Sequence, residues 1–324
     1  MLHVTEGGLS PTVQDTGRFG NYHIGMPPSG AVDQYAHQVA NFLVGNEAEE
    51  ATLEMTYNGP TVEFGDGTLV AICGADMSPE LDGEPIPTWT AVSVDAGQTL
   101  SFQFATEGAR AYLAVAGGID VDQVMGSRAT YTLIGIGGHE GRELEAGDEL
   151  PVGAAEAAGQ EGATVDDEFV PSYGTDAPIR VVMGLCDYRL TDRGRDVLLG
   201  TEWKISDEAD RVGYRLDADV EVEDLFRERE QPFGAGTDPT NVVDLGYPIG
   251  SIQMAGQPIV LMRDAVTGGG YATVGTVISP DRGRLAQGRS HETISFEAVT
   301  IDEALEIQET RSDRIDTLRA RLLD

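Results

Sequence analysis

Two stretches of this sequence set charged and amide side chains on backbone suited to display. Near the N-terminus, residues 12–20 read TVQDTGRFG and run on through His23 to GMPPSGAVD, which ends at Asp33. Asp15, Arg18, His23 and Asp33 are acids and bases on a segment punctuated by Gly and Pro, as in many binding loops. The structural alternatives are an Asp15–Arg18 salt bridge that fixes the loop and a helix cap at Ser29 or Asp33. In the second half, the apolar residues 259–262 lead to Asp264, Thr267 and the run Gly268, Gly269, Gly270, Tyr271. A strand there would deliver a carboxylate and a hydroxyl to a loop whose backbone N–H groups can face an anion. A tight turn is the alternative. Upstream, DRVGYRL at residues 210–216 supplies Arg211, Tyr214 and Arg215, groups suited to planar recognition of a carboxylate or carbamate. Arg215 taken alone reads as a partner for surface acids.

Other chemistries are disfavoured. The glycine run lacks the lysine and hydroxyl of a phosphate-binding P-loop, and Gly137-Gly138 is no dinucleotide fingerprint. Cys73 and Cys186 match neither zinc nor redox spacing and read as lone buried thiols. The five histidines are scattered, so no metal site is expected. No serine has the setting of a hydrolase nucleophile.

The elements that position these groups are mostly strands. Val32, Tyr35, Ala36, Val39, Phe42 and Leu43 recur at helical spacing, which predicts one amphipathic helix over about 31–45, stopped by Gly45-Asn46. Short alternating segments follow at close intervals, with a hairpin turn at Asp82-Gly83. The expected fold is therefore mainly β, with barrel-like domains and few helices. Residues 1–150 read as the first β-rich domain, 151–178 as a small-residue linker and 179–300 as a second β-rich domain. Residues 301–324 read as a C-terminal helix with Ile307, Ile315, Leu318 and Leu322 on one stripe.

Composition bounds the setting. The 324 residues carry 55 acids against 21 bases, a net charge of −34, and Lys204 is the single lysine. The acids are spread through the chain, so the reading is adaptation to a salt-saturated cytoplasm. At molar salt the screening length falls to about 3 Å, which suppresses the self-repulsion of such a surface. Nucleic acid is excluded as a partner for want of clustered positive charge. No signal peptide or membrane-spanning run is read in the sequence.

Together, "TVQDTGRFG", "GMPPSGAVDQYAHQVANFLVGN", "AYLAVAGGIDV", "GSRATY", "GGHEGR", "DRVGYRL" and "IQMAGQPIVLMRDAVTGGGY" resemble the biotin-dependent carboxyltransferase family. That family is also described as allophanate hydrolase subunit 2 or as the C-type subunit of 5-oxoprolinase. The resemblance implies cyclophilin-like β-barrel domains. It also implies a sister protein akin to allophanate hydrolase subunit 1 or to the B-type subunit of 5-oxoprolinase. It implies a third 5-oxoprolinase component, a small amide substrate and ATP used by the complex, with no cofactor assigned to this chain. On that reading Asp264 and Arg211 are the catalytic candidates. Gln253, Tyr214, Thr267, Gly269, Gly270 and Tyr271 bind substrate, and Asp15, Arg18, His23 and Asp33 line an interface or cleft wall. No biotin-carrier segment is read here, which tilts the expectation toward ATP-dependent opening of 5-oxoproline to glutamate. The alternatives are carboxyl transfer to urea or a related amide from biotin on a partner, or a binding module like the family's antagonist of a sporulation-kinase inhibitor.

Overall fold

The computed structural model describes all residues except 156–158, 175–176 and 324. Parts of the expected linker therefore lie outside the described residues. The chain is mainly β and divides into two compact units. Unit 1 comprises Met1–Arg18, Ser29–Tyr173 and Ser312–Asp324, and unit 2 comprises Phe19–Pro28 and Gly174–Arg311. The division does not follow chain order: ten residues of the N-terminal motif join unit 2, and most of the expected linker joins unit 1.

Unit 1 holds two antiparallel sheets. A six-stranded sheet contains Leu2–Glu6 and Thr61–Phe64, and a five-stranded sheet runs Thr12–Gln14, Thr52–Thr56, Glu107–Val115, Thr68–Asp76, Ala91–Val94. Side chains alternate between the two faces of a strand, so one strand can serve two cores. Ile72 and Leu113 join Leu2, Val62 and Phe64 in the first core. Their neighbours Cys73 and Tyr112 point the other way, into a second core with Tyr35, Val39 and Leu43 of the helix Gln34–Leu43. Leu318 is buried in that second core, with Ile315 and Leu322 packed against it. The helix starts at Asp33, whose carboxylate accepts from the backbone N–H groups of Tyr35 and Ala36 at 3.1 and 3.3 Å. The cap is the structural alternative for Asp33. The Asp82-Gly83 hairpin also forms, with both residues at positive φ.

Unit 2 is built on an eight-stranded, nearly closed barrel sheet that includes Gly213–Asp217, Pro258–Leu261, Ser251–Met254 and Thr273–Val277 as neighbours. A separate ribbon pairs Asn241–Gly246 with Gly268–Tyr271. Among the described residues, no helix is long and apolar enough to cross a membrane.

The GGHEGR segment closes a charged clasp in unit 1. Arg142 donates to both oxygens of Asp148 at 2.8 Å, and His139 Nε2 lies 3.3 Å from the same carboxylate. The hydrogen bonds from Arg142 hold the Asp148 carboxyl down at about 2, below its ordinary 3.8. A depressed carboxylate pKa stabilises the fold above the unfolded value, and that stability is lost as pH falls toward the folded value. Asp148→Asn is thus expected to cost about 2 kcal/mol near neutral pH and progressively less as pH drops from about 4 to 2. Urea titrations of both proteins across that range measure it; a difference independent of pH refutes it.

Candidate functional site

Each unit carries a centre of polar side chains. In unit 1 the first is Asp15, 7 % exposed. Its Oδ1 accepts from the Gly17 N–H and the Ser127 hydroxyl, both at 2.7 Å, and its Oδ2 accepts from the Arg128 N–H at 2.6 Å. Arg18, buried, donates to the carbonyls of Ala129 and Val124. Asp15 and Arg18 thus each grip the segment 124–129. The close approach explains Gly137: a Cβ there would lie 2.6 Å from the Arg18 guanidinium and closer still to the Ala129 carbonyl.

Behind this loop lies a buried network that the residue types in the loop do not announce. Glu54, on the strand Thr52–Thr56, is 1 % exposed, and its Oε2 accepts from the Val32 N–H and the Tyr112 hydroxyl, both at 2.8 Å. Arg110 Nε lies 3.9 Å from Oε1. Burial, and then the charges of Glu54 and Asp33, push the Tyr112 phenol well above its ordinary value, so it stays protonated and donates. Its oxygen in turn accepts from the Asp33 N–H at 2.8 Å. The available signal was a glutamate in TLEMT and an arginine in ARAYLAV, charges set among apolar strand residues.

In unit 2, Arg211 and Asp264 face each other just beyond the paired strands Gly213–Asp217 and Pro258–Leu261. The ladder continues past them: the Met262 N–H donates to Val212 and the Asp264 N–H to Arg211, both at 2.9 Å. The guanidinium then grips both carboxylate oxygens, Nε to Oδ2 at 2.7 Å and Nη2 to Oδ1 at 3.1 Å. The side chains are 16 % and 4 % exposed, so the pair is mostly withdrawn from water and its arginine is the more accessible member. Gln253, on the strand Ser251–Met254, pairs in register with Thr273 and is nearly buried.

Other sequence candidates take different places. Tyr214 is 2 % exposed and its hydroxyl donates to the Ala286 carbonyl at 2.8 Å, so the phenol is committed to the core and is not available to position substrate. The glycine run is a strand, Gly268–Tyr271, not an open anion-binding loop. Tyr247 explains the glycine at 269: a Cβ there would lie 2.9 Å from its ring. The Tyr247 hydroxyl accepts from the Tyr271 N–H at 2.7 Å and donates to the Tyr271 carbonyl at 2.9 Å. Thr267 accepts from the Tyr247 N–H through its carbonyl. Gly270 lies within the same ribbon and Tyr271 is 40 % exposed at its end. His23 is exposed in the short turn Tyr22–Ile24, with Nδ1 3.1 Å from the Gly20 carbonyl. Asp33 is spent on the helix cap. Two aromatic residues of the N-terminal motif also meet arginines of unit 2: Arg263 stacks over the Phe19 ring at 5.6 Å, and Tyr22 lies beside Arg263 and Arg282. Among the described residues, no group of three or more His, Cys, Asp or Glu is arranged to hold a metal ion.

The carboxyltransferase domain family, subdomains A and B, matches residues 24–298 of the chain. The chain is similar to the C-type subunit of 5-oxoprolinase from Escherichia coli, 36 % identical over 99 % of each protein. It is similar to a putative urea carboxylase of Emericella nidulans, at 32 % identity over 94 % of this chain but 24 % of that protein. Among solved structures, the urea amidolyase of K. lactis superposes with a TM-score of 0.91 at 30 % identity, covering 98 % of this chain and 20 % of the larger one.

The buried network makes a stability prediction. Glu54→Gln removes the buried charge that accepts from the Val32 N–H and the Tyr112 hydroxyl, and hydrogen bonds to a charged group are worth about 1.5–3 kcal/mol. Glu54→Gln is expected to lose about that much in urea unfolding at molar salt. A loss under about 1 kcal/mol, the range of an exposed pair, refutes the role given to Glu54.

Proposed function

This chain belongs to the carboxyltransferase domain family, and we propose that it is one subunit of an ATP-dependent 5-oxoprolinase, inactive without its partners. The observation that carries the reading is the end-to-end correspondence with a free-standing C-type subunit of 5-oxoprolinase, where the urea enzymes match only over a fraction of their length. The partners are a sister protein of the 5-oxoprolinase B type and a third component. ATP is consumed by the complex and is not assigned to this chain. The excess of 34 negative charges supports a home in the cytoplasm of a high-salt cell, where such a surface is screened.

Opening 5-oxoproline adds water across its ring amide: the C–N bond breaks, the carbonyl becomes a carboxylate and the nitrogen becomes the amine of glutamate. That reaction needs a polarised carbonyl and a stabilised oxyanion. In our reading the Arg211 guanidinium meets the negative charge. With both oxygens on Arg211, Asp264 acts as the carboxylate that orients it, leaving acid/base work to another group. Gln253 offers an amide that can both donate to and accept from the substrate amide. Thr267, Gly269, Gly270 and Tyr271 contribute through the ribbon, whose exposed phenol is the part that can reach a ligand. Asp15, Arg18 and Asp33 serve by holding their loop in shape, and exposed His23 is a candidate for contact with a partner.

A second reading is carboxyl transfer to urea or another amide from biotin on a partner, supported by the likeness to the urea amidolyase domain. The experiment mixes this chain with its sister and third components in molar potassium chloride and follows ATP- and 5-oxoproline-dependent glutamate release. Glutamate is expected only when this chain is present. Arg211→Ala and Asp264→Asn are each expected to lower turnover by about 100-fold, the scale of losing an oxyanion-stabilising group, while the complex still assembles. Near-normal turnover refutes the site. No glutamate from an assembled complex refutes the reaction and favours carboxyl transfer.

A further inference from the structure

Among the described residues, Arg282 is an arginine with no acid paired to it. It lies in the first turn of the helix Ser279–Ala286, and its Nε donates to the Val277 carbonyl at 3.2 Å. Among the described residues no carboxylate pairs with it, although the chain has 55 acids. The adjacent Asp281 is claimed by others: Arg180 grips both its oxygens at 2.9 and 2.6 Å, and Arg284 stands 3.6 Å away. The Tyr22 phenol lies beside Arg282; its partial burial raises its pKa, so it stays neutral and supplies no counter-charge. The Gly250 backbone closes another side, where a Cβ would lie 2.8 Å from Nε. A cation held mostly out of water with no counter-charge is costly, and proteins keep such groups where a ligand supplies the missing charge.

The cavity beside Arg282 has that shape. It measures about 210 Å³ and lies between Val182, Ile278 and the first turns of the C-terminal helix, where Ile301 and Leu305 form an apolar wall and Gln308 a polar one. We propose that this cavity is a binding site for a small organic monocarboxylate, whose carboxylate meets Arg282 and whose compact apolar body fills the space against Ile301 and Leu305. One guanidinium balances one negative charge and its planar fork matches a carboxylate. The walls favour a carbon framework over an inorganic anion. None of the groups assigned to 5-oxoproline opening lines this cavity, so the site stands independently of that reading.

The test uses the full chain at constant chloride, with cyclopentanecarboxylate as probe and cyclopentanecarboxamide as its neutral counterpart. Saturation-transfer NMR and thermal unfolding are expected to detect the carboxylate at millimolar concentration and to detect the carboxamide at least about tenfold more weakly, the usual worth of a charged hydrogen bond. Arg282→Met is expected to lose the carboxylate by a similar factor. Its ligand-free Tm is expected to hold or rise, because an uncompensated buried charge has been removed. Ala304→Trp, which fills the cavity mouth and leaves Arg282 in place, is expected to abolish binding without unfolding the chain. Absence of carboxylate binding to the unmodified protein overturns the proposal. Equal response to the carboxamide, survival of binding in either variant, or a large fall in Tm on Arg282→Met would also overturn it, the last by marking Arg282 as purely structural.

Discussion

The five-stranded sheet of unit 1 is buried on both faces, and that constraint decides what its polar residues must do. A strand with two apolar faces has no water to offer a charge. Glu54 nevertheless sits in this sheet, and the fold meets the cost by giving it the Val32 N–H, the Tyr112 hydroxyl and a nearby Arg110. Those partners meet at the helix start: Val32 precedes the Asp33 cap, and the Tyr112 hydroxyl also accepts from the Asp33 N–H. One buried carboxylate therefore fixes where the loop ends, where the helix Gln34–Leu43 begins and which face of Glu107–Val115 meets it. The placement of Asp15 and Arg18 farther upstream inherits that rigidity, because the Ala31 N–H donates to the Asp15 carbonyl at 2.8 Å.

Charge is handled differently on the two sides of the protein surface. Outside, acids are in such excess that most have no cation to meet, and screening by salt is what lets them coexist. Inside or at the edge of the core, the few bases are placed with care and nearly all are arginines. Arg142 with Asp148, Arg180 with Asp281 and Arg211 with Asp264 are each two-point pairs. A lysine offers a point charge and could not fix both oxygens in one plane. The single lysine, Lys204, is exposed. The preference for arginine is thus geometric, since a planar fork sets the orientation of its partner as well as neutralising it.

Much of the local structure was legible. The helix declared itself because Tyr35, Val39 and Leu43 repeat at the spacing that buries one face, with a capping carboxylate in front. Strands such as Thr61–Phe64, burying Val62 and Phe64 and exposing Glu63, declared themselves by period two. What could not be read was partnership across the sequence. The phenol of Tyr214 looked free until the Ala286 carbonyl, 72 residues away, claimed it. Three glycines in a row carry weak strand propensity; they form one by pairing with Asn241–Gly246, where the Tyr247 ring leaves no room for a Cβ at Gly269. Nor does the motif at residues 12–33 betray that Phe19–Pro28 belongs to a different compact unit from the residues on either side. Hydrophobic periodicity reports burial of a segment, not the identity of what buries it.

The same distinction separates two neighbouring arginines of unit 2. Arg180 reaches the helix Ser279–Ala286 through Asp281 and Arg282 belongs to that helix, and by residue type they are interchangeable. Arg180 meets Asp281, a fully buried acid that receives two hydrogen bonds from its guanidinium and one from its backbone N–H. That arrangement is closed: the Arg180 charge has a fixed opposite, and the worth of the pair is structural. Arg282 donates to one carbonyl and lies beside a neutral phenol, and neither compensates its charge. A closed pair gains nothing from a ligand, whereas an open charge beside an apolar cavity gains both an ionic partner and the burial of carbon. Function in such a barrel is therefore better sought where the electrostatic accounting is incomplete than where charged residues are merely dense.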